Sequence, residues 1–125
     1  MDHLAKRLLV LVYVNEEELT ETLRRVLRDA RTSGFRKVIV NVLSQLPHWQ
    51  VLANSREAIL DNIELGLEIY TVNPEEVASF LERKKYYEAD GLSLYCDEGH
   101  KYQLNKIIGT LPDSVKVNIV KNSCK

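Results

Sequence analysis

The sequence is sparing with the residues that usually announce a function. Its 125 residues include two cysteines, three prolines, five glycines, one methionine and one tryptophan. Two cysteines, Cys96 and Cys124, are too few for a disulfide framework; the simplest reading is a pair of reduced thiols in a cytoplasmic protein. The histidines are His3, His48 and His100, so no Cys-x2-Cys or His-x3-His spacing of a zinc site is present. No serine stands on a Gly-x-Ser-x-Gly elbow. After the first apolar run, where a dinucleotide fingerprint needs glycines, the chain reads Asn15-Glu16-Glu17. A phosphorelay receiver needs an aspartate at the end of its third strand, and here Thr71-Val72-Asn73 stands there.

Long apolar runs are missing too. The longest, Leu8–Val14, falls far short of a membrane span, and Met1–Arg7 has no signal-peptide apolar stretch. No membrane partner and a cytoplasmic location are therefore expected. Nor is there an excess of one charge. Lys and Arg number 17 against 18 Asp and Glu, for a net −1. Non-specific nucleic-acid binding needs a basic surplus or a basic face. Arg24, Arg25, Arg28 and Arg31 do form a ridge, but a solvated ridge balanced by acids is the simpler account, and no nucleic-acid partner is expected.

What is present is regular alternation. With 45% hydrophobic and 28% charged residues, positions 1–125 suit a single domain that buries roughly two-thirds of its unfolded surface. Lys6–Val14 carries a continuous β-branched and leucine run, as in a strand covered on both faces. Asn15 with Glu18 forms a capping box, Leu19, Leu23, Val26, Leu27 and Ala30 share one helical face, and Gly34 suits the stop. Lys37–Leu43 is the second strand. Ser44–Asn54, with Pro47, His48 and Trp49, reads as an irregular loop with at most a short helical start. Ser55 then caps a helix that Gly66 ends. Leu67–Val72 is the third strand, and Asn73-Pro74-Glu75-Glu76 starts a helix with cap and proline in order. Leu92–Cys96, a helix over Gly99–Ile108 and Val115–Lys121 complete a βαβαβαβαβ chain.

This alternation implies an α/β three-layer sandwich: a five-stranded parallel sheet with helices on both faces. Strand texture bears on the order. The third and fifth strands carry polar residues at alternate positions (Glu68; Lys116 and Asn118), as edge strands do. Order 3-2-1-4-5 puts both at the edges, whereas 2-1-3-4-5 would put the more apolar second strand there; texture favours the former. Ligands of such sheets bind beyond the carboxyl ends of the strands at the switch point. Here that lies between the first and fourth strands, at Asn15, Glu16, Cys96, Asp97, Glu98, Gly99 and His100, with Ser44 and Gln45 alongside.

Several segments along the chain resemble the universal stress protein family: Val14-Asn15, Asn73-Pro74-Glu75-Glu76-Val77, Glu88-Ala89-Asp90-Gly91-Leu92-Ser93-Leu94 and Val115–Val120. The resemblance runs over nearly the whole chain. It implies the 3-2-1-4-5 sheet, a regulatory or stress-response role and dimerisation through the last strand, Val115–Lys121. Nucleotide-binding members carry Gly-x2-Gly-x9-Gly-Ser/Thr after the fourth strand. Cys96-x2-Gly99-x9-Gly109-Thr110 matches in part. The resemblance thus implies an ATP or AMP site at Asn15, Val42, Gly99, His100, Gly109 and Thr110.

The residues themselves argue for weak or no nucleotide binding. The first motif glycine is Cys96. The helical stretch 99–108 fills the interval where a phosphate loop would lie, which makes Gly109 a helix stop. Asp97, Glu98 and Glu16–Glu18 crowd the mouth where an anion would arrive.

Overall fold

The computed structural model describes residues 6–85 and 88–124. The leader reading of Met1–Arg7 falls mostly on positions outside these. Five strands, β1 (Arg7–Tyr13), β2 (Lys37–Leu43), β3 (Gly66–Val72), β4 (Gly91–Cys96) and β5 (Ile119–Asn122), form one parallel sheet of order 3-2-1-4-5. Helices α1 (Glu16–Thr32) and α2 (His48–Leu60) cover one face, where Leu19, Leu23, Val26, Leu27 and Ala30 pack on Leu8, Val10 and Val12. Helices α3 (Val77–Arg83), α4 (Lys101–Gly109) and α5 (Asp113–Lys116) cover the other, packing Leu81, Leu104 and Val115 on Leu9, Leu11 and Leu94. Burying each leucine stabilises the fold by about 1.5–3 kcal/mol. Both faces of β1 are sealed, which is why its sequence is apolar without alternation.

The first helix stops as expected. Gly34 adopts φ 83°, a left-handed conformation that glycine takes without steric cost, and Phe35 N–H closes the end on the Ala30 carbonyl. The ridge of arginines is partly neutralised, Arg24 by Glu57 and Arg31 by Glu64. Asn73 caps as its sequence suggests: its side chain accepts from Glu75 N–H, starting a 3₁₀ turn over Pro74–Glu76 that leads into α3.

Five local expectations are corrected. The Ser44–Asn54 segment is helical from His48 onward. Ser55 does not cap that helix but lies buried within it, its hydroxyl satisfied by the Val51 carbonyl at 2.6 Å. The capping box at Asn15 does not form, because Asn15 makes no side-chain cap bond. The last strand is shorter than Val115–Lys121. Pro112 and Asp113 start the helical turn α5, Val115 turns into the core, and only Ile119–Asn122 are strand. Finally, the cysteines are joined: Cys96 and Cys124 form a disulfide with Cα atoms 5.2 Å apart. The sheet explains their meeting, since Ser123 N–H bonds to the Leu94 carbonyl and lays the chain's tail beside the end of β4. Their separation of 28 positions carries no hint of it. No described helix is long and apolar enough to cross a membrane.

Candidate functional site

The chain crosses over in opposite directions from β1, through α1 to β2 and back to β4 on the other side. The carboxyl ends of these strands therefore splay apart. Between them lies a cleft of about 310 Å³, lined among others by Tyr13, Asn15, Glu16, Val42, Ser44 and His100. A second hollow of about 300 Å³ shares Tyr13, Gln45 and Pro74 with it and runs on to Glu75, Gln103 and Lys106.

Asp97 organises the cleft. Its Oδ2 accepts the Asn15 backbone N–H at 2.8 Å. Its Oδ1 accepts the His100 backbone N–H at 3.0 Å and lies 2.7 Å from His100 Nδ1. One carboxylate thus closes the start of α1 onto the 3₁₀ turn Glu98–His100 that opens α4. Its side chain is only 11% exposed. Burial would raise its pKa, but the Asn15 N–H, His100 and Glu18 together hold it below the usual aspartate range. The Glu18 carboxyl is pushed up, first by hydrogen bonding to Asp97, then by desolvation and the Asp97 charge. The His100 ring stacks on Tyr13 at 4.3 Å, and Tyr13 donates to Gln103 Oε1 at 2.8 Å. Burial, then the charges of Asp97 and Glu75, raise the Tyr13 pKa. Across the cleft Gln50 of α2 donates to Glu16 at 2.6 Å.

Of the six nucleotide positions implied by the resemblance, Asn15, Val42 and His100 line this cleft. Gly99 sits in the turn at its edge. A Cβ there would meet only Asp97 Oδ1, at 3.7 Å, so the space is not one that only glycine leaves open. Gly109 and Thr110 are not brought to the cleft. The nine residues of α4 carry them about 13 Å along the helix from His100. Thr110 Oγ1 there donates to the Ile107 carbonyl, and a Cβ on Gly109 would meet open space. The x9 interval is a helix between its cap and its stop. Tyr13, Gln103 and Glu75 escape a motif search; the one sequence sign of Tyr13 is its place next to the end of the apolar run. Among the described residues no three His, Cys, Asp or Glu side chains gather as metal ligands.

An open parallel α/β sheet with its cleft at the switch point defines the class. Within it, the chain belongs to the Family of unknown function (DUF5751), whose model matches residues 10–125. A solved structure, that of a hypothetical protein from Sulfolobus tokodaii, is similar at 34% sequence identity over 94% of each chain, with a TM-score of 0.87. No curated protein matches. Family membership corrects the resemblance to universal stress proteins, which rested on four short segments and on a glycine spacing that α4 accounts for.

Proposed function

We propose that the chain is a homodimeric regulatory binding module whose cleft at the carboxyl ends of β1 and β4 takes a small polar ligand and holds nucleotides weakly or not at all. One observation carries this reading: the backbone N–H groups of Asn15 and His100, which point to where a phosphate would sit, are already spent on Asp97. An anion must displace a carboxylate that belongs to the fold, against the charges of Glu16 and Glu18 beside it. An uncharged or cationic ligand meets no such opposition, and Tyr13 and His100 offer it a flat wall. A second reading, an ATP or AMP site, draws support from the place of Asn15, Val42, Gly99 and His100 at the switch point. As for self-association, among the described residues no further strand pairs with either edge of the sheet. The last strand is the edge the sequence points to, with Val117, Ile119 and Val120 exposed near it.

Isothermal titration with ATP and with AMP, each with and without magnesium, separates the two readings. The expected result is no binding tighter than millimolar for the natural chain and a gain for Asp97→Ala, which frees both N–H groups. A micromolar Kd for the natural chain would establish the second reading instead.

A further inference from the structure

The two walls of the cleft lie on opposite sides of a covalent boundary. The bond between Cys96 and Cys124 closes the stretch 97–123 on itself. Inside that stretch are His100, Gln103 and Lys106, one side of the cleft and of the hollow that continues it, with Asp97 at their head. Outside it are Tyr13, Asn15, Glu16 and Ser44, the other side. Three ties join the walls. Asp97 accepts the Asn15 N–H at 2.8 Å, Tyr13 donates to Gln103 at 2.8 Å, and the Tyr13 and His100 rings stack at 4.3 Å.

The disulfide and these ties therefore brace one segment from its two ends. Its far end is lightly held otherwise. β5 has four residues, three of them exposed, and its pairing with β4 shifts register between Leu92 and Ser93. Beyond it, Ser123 gives both its N–H and its hydroxyl to one carbonyl, that of Leu94, at 3.0 Å. Cys124 is buried in one cluster with Leu94, Leu104, Leu111 and Val115, and Cys96 packs against that cluster. An interior so packed takes up extra volume only by shifting. Two thiols stand farther apart than bonded sulfurs, so opening the bond moves Cys96, Cys124 or both. One peptide bond joins Cys96 to Asp97, whose own N–H makes a long 3.4 Å bond to the Tyr13 carbonyl.

We infer that the Cys96–Cys124 bond is a redox switch on the cleft: oxidised, it holds the wall of Asp97, His100 and Gln103 against β1, and reduced, it lets that wall part and weakens the hold on a ligand. This rests on the reading of the cleft as a ligand site and gives that site its regulation. The reductant is a dithiol. One of its thiolates attacks the sulfur of Cys96, the more exposed of the pair, and expels the Cys124 thiolate. Its second thiolate then closes on the first sulfur and releases Cys96. The dithiol leaves as its own disulfide, two electrons pass to the chain, and each cysteine takes up one of the two protons that the dithiol gives up. Coupling is reciprocal. A ligand that bridges both walls binds the oxidised chain more tightly and makes the bond harder to reduce by the same factor.

Equilibrating the full chain with mixtures of reduced and oxidised dithiothreitol, then alkylating the thiols and counting them by mass spectrometry, measures the constant for reduction. Asp97→Ala and Gln103→Leu each remove a tie, and each is expected to move that constant toward the thiols, Asp97→Ala by at least about fivefold. Gln103 is exposed, so its variant carries the test should Asp97→Ala not fold. Ala58→Gly weakens α2 on the opposite face of the sheet and is expected to leave the constant unchanged. Amide spectra give a second readout: the Asn15 and His100 N–H signals, both set by Asp97, are expected to move on reduction. Equal constants for the natural chain and the tie variants, or an equal shift from Ala58→Gly, would overturn the switch. So would Asn15 and His100 signals that stay in place on reduction, or a bond that neither forms nor opens anywhere in the range while the chain is folded. No ligand enters this measurement, so its failure leaves the cleft standing as a ligand site, and a failed ligand titration leaves the redox result standing.

Discussion

Asp97→Ala probes the whole arrangement at the cleft. In the native chain three donors share this carboxylate: the backbone N–H groups of Asn15 and His100 and the His100 ring, all within 3.0 Å. A hydrogen bond to a charged acceptor contributes about 1.5–3 kcal/mol, and loss of a helix cap alone costs about 0.5–2 kcal/mol. The cleft is open, so water takes over part of each lost bond, and the expected destabilisation is about 3 kcal/mol, not the sum of the three. For a chain of this length that lowers Tm by about 10 °C. Asp97→Asn keeps one cap oxygen but loses the charge and sets its NH2 against a donor, the Asn15 N–H or the His100 pair, so about 2 kcal/mol is expected. The pH dependence follows from the lowered pKa. A carboxyl whose folded pKa lies below its unfolded value stabilises fully above the unfolded value, near pH 4. That stabilisation is lost as pH falls through the folded one. The gap between the natural chain and Asp97→Asn should therefore be widest near neutrality and close as pH falls below about 4, through the folded pKa. Urea unfolding monitored by circular dichroism at several pH values measures all of this. An Asp97→Ala chain within 0.5 kcal/mol of the natural one at pH 7 would refute the reasoning.

Two further predictions concern the packing that holds the cleft's strands. Tyr95, fully buried on β4, donates to Asp29 of α1 at 2.7 Å, and burial followed by that bond pushes its pKa far above the ordinary tyrosine value. A raised phenol gives stability that is complete below pH 10 and lost as pH rises beyond it, so denaturation midpoints should fall steeply above about pH 10 in the natural chain and less so in Tyr95→Phe. A Cβ on Gly91 would lie 2.7 Å from Val120 and 2.9 Å from Phe35; Gly91→Ala is expected to cost about 1–3 kcal/mol by overcrowding, read as a lowered Tm, whereas Gly109→Ala, in open space, should cost nothing.

The sheet was legible because its strongest determinant is local. Seven successive apolar residues at Leu8–Val14 suit a strand covered twice, and Glu68 in β3 marked one edge; Lys116 and Asn118, read as polar positions of the last strand, precede it, although the edge they pointed to is the right one. Asp97 was legible as an acid in the way of an anion. Its bond to Asn15, which replaces the capping box there, was not, since it joins residues 82 positions apart. Helix α2 misled for a physical reason. Serine reads as a cap, but a buried serine satisfied by the carbonyl four residues back serves mid-helix as well. The glycine pair 99 and 109 misled through coincidence of length: a short helix between cap and stop has the spacing of a phosphate motif. Val115–Val117 alternate like a strand, yet Pro112 before Asp113 starts a helical turn, and burial of Val115 decides for it.

The disulfide gives the end of the chain a kinetic character that hydrogen bonds alone would not. Four-residue edge strands at a terminus ordinarily fray, opening and closing far below the global unfolding free energy. Here the crosslink from Cys96 to Cys124 makes a covalent ring that holds α4, α5 and β5 entire. The tail cannot peel away from its tip. Amide exchange over these elements should therefore be correlated, the ring opening as one unit while oxidised and residue by residue once a reductant has cut it. Because Cys96 is bonded in sequence to Asp97, that cut releases the chain beside the carboxylate that shapes the cleft.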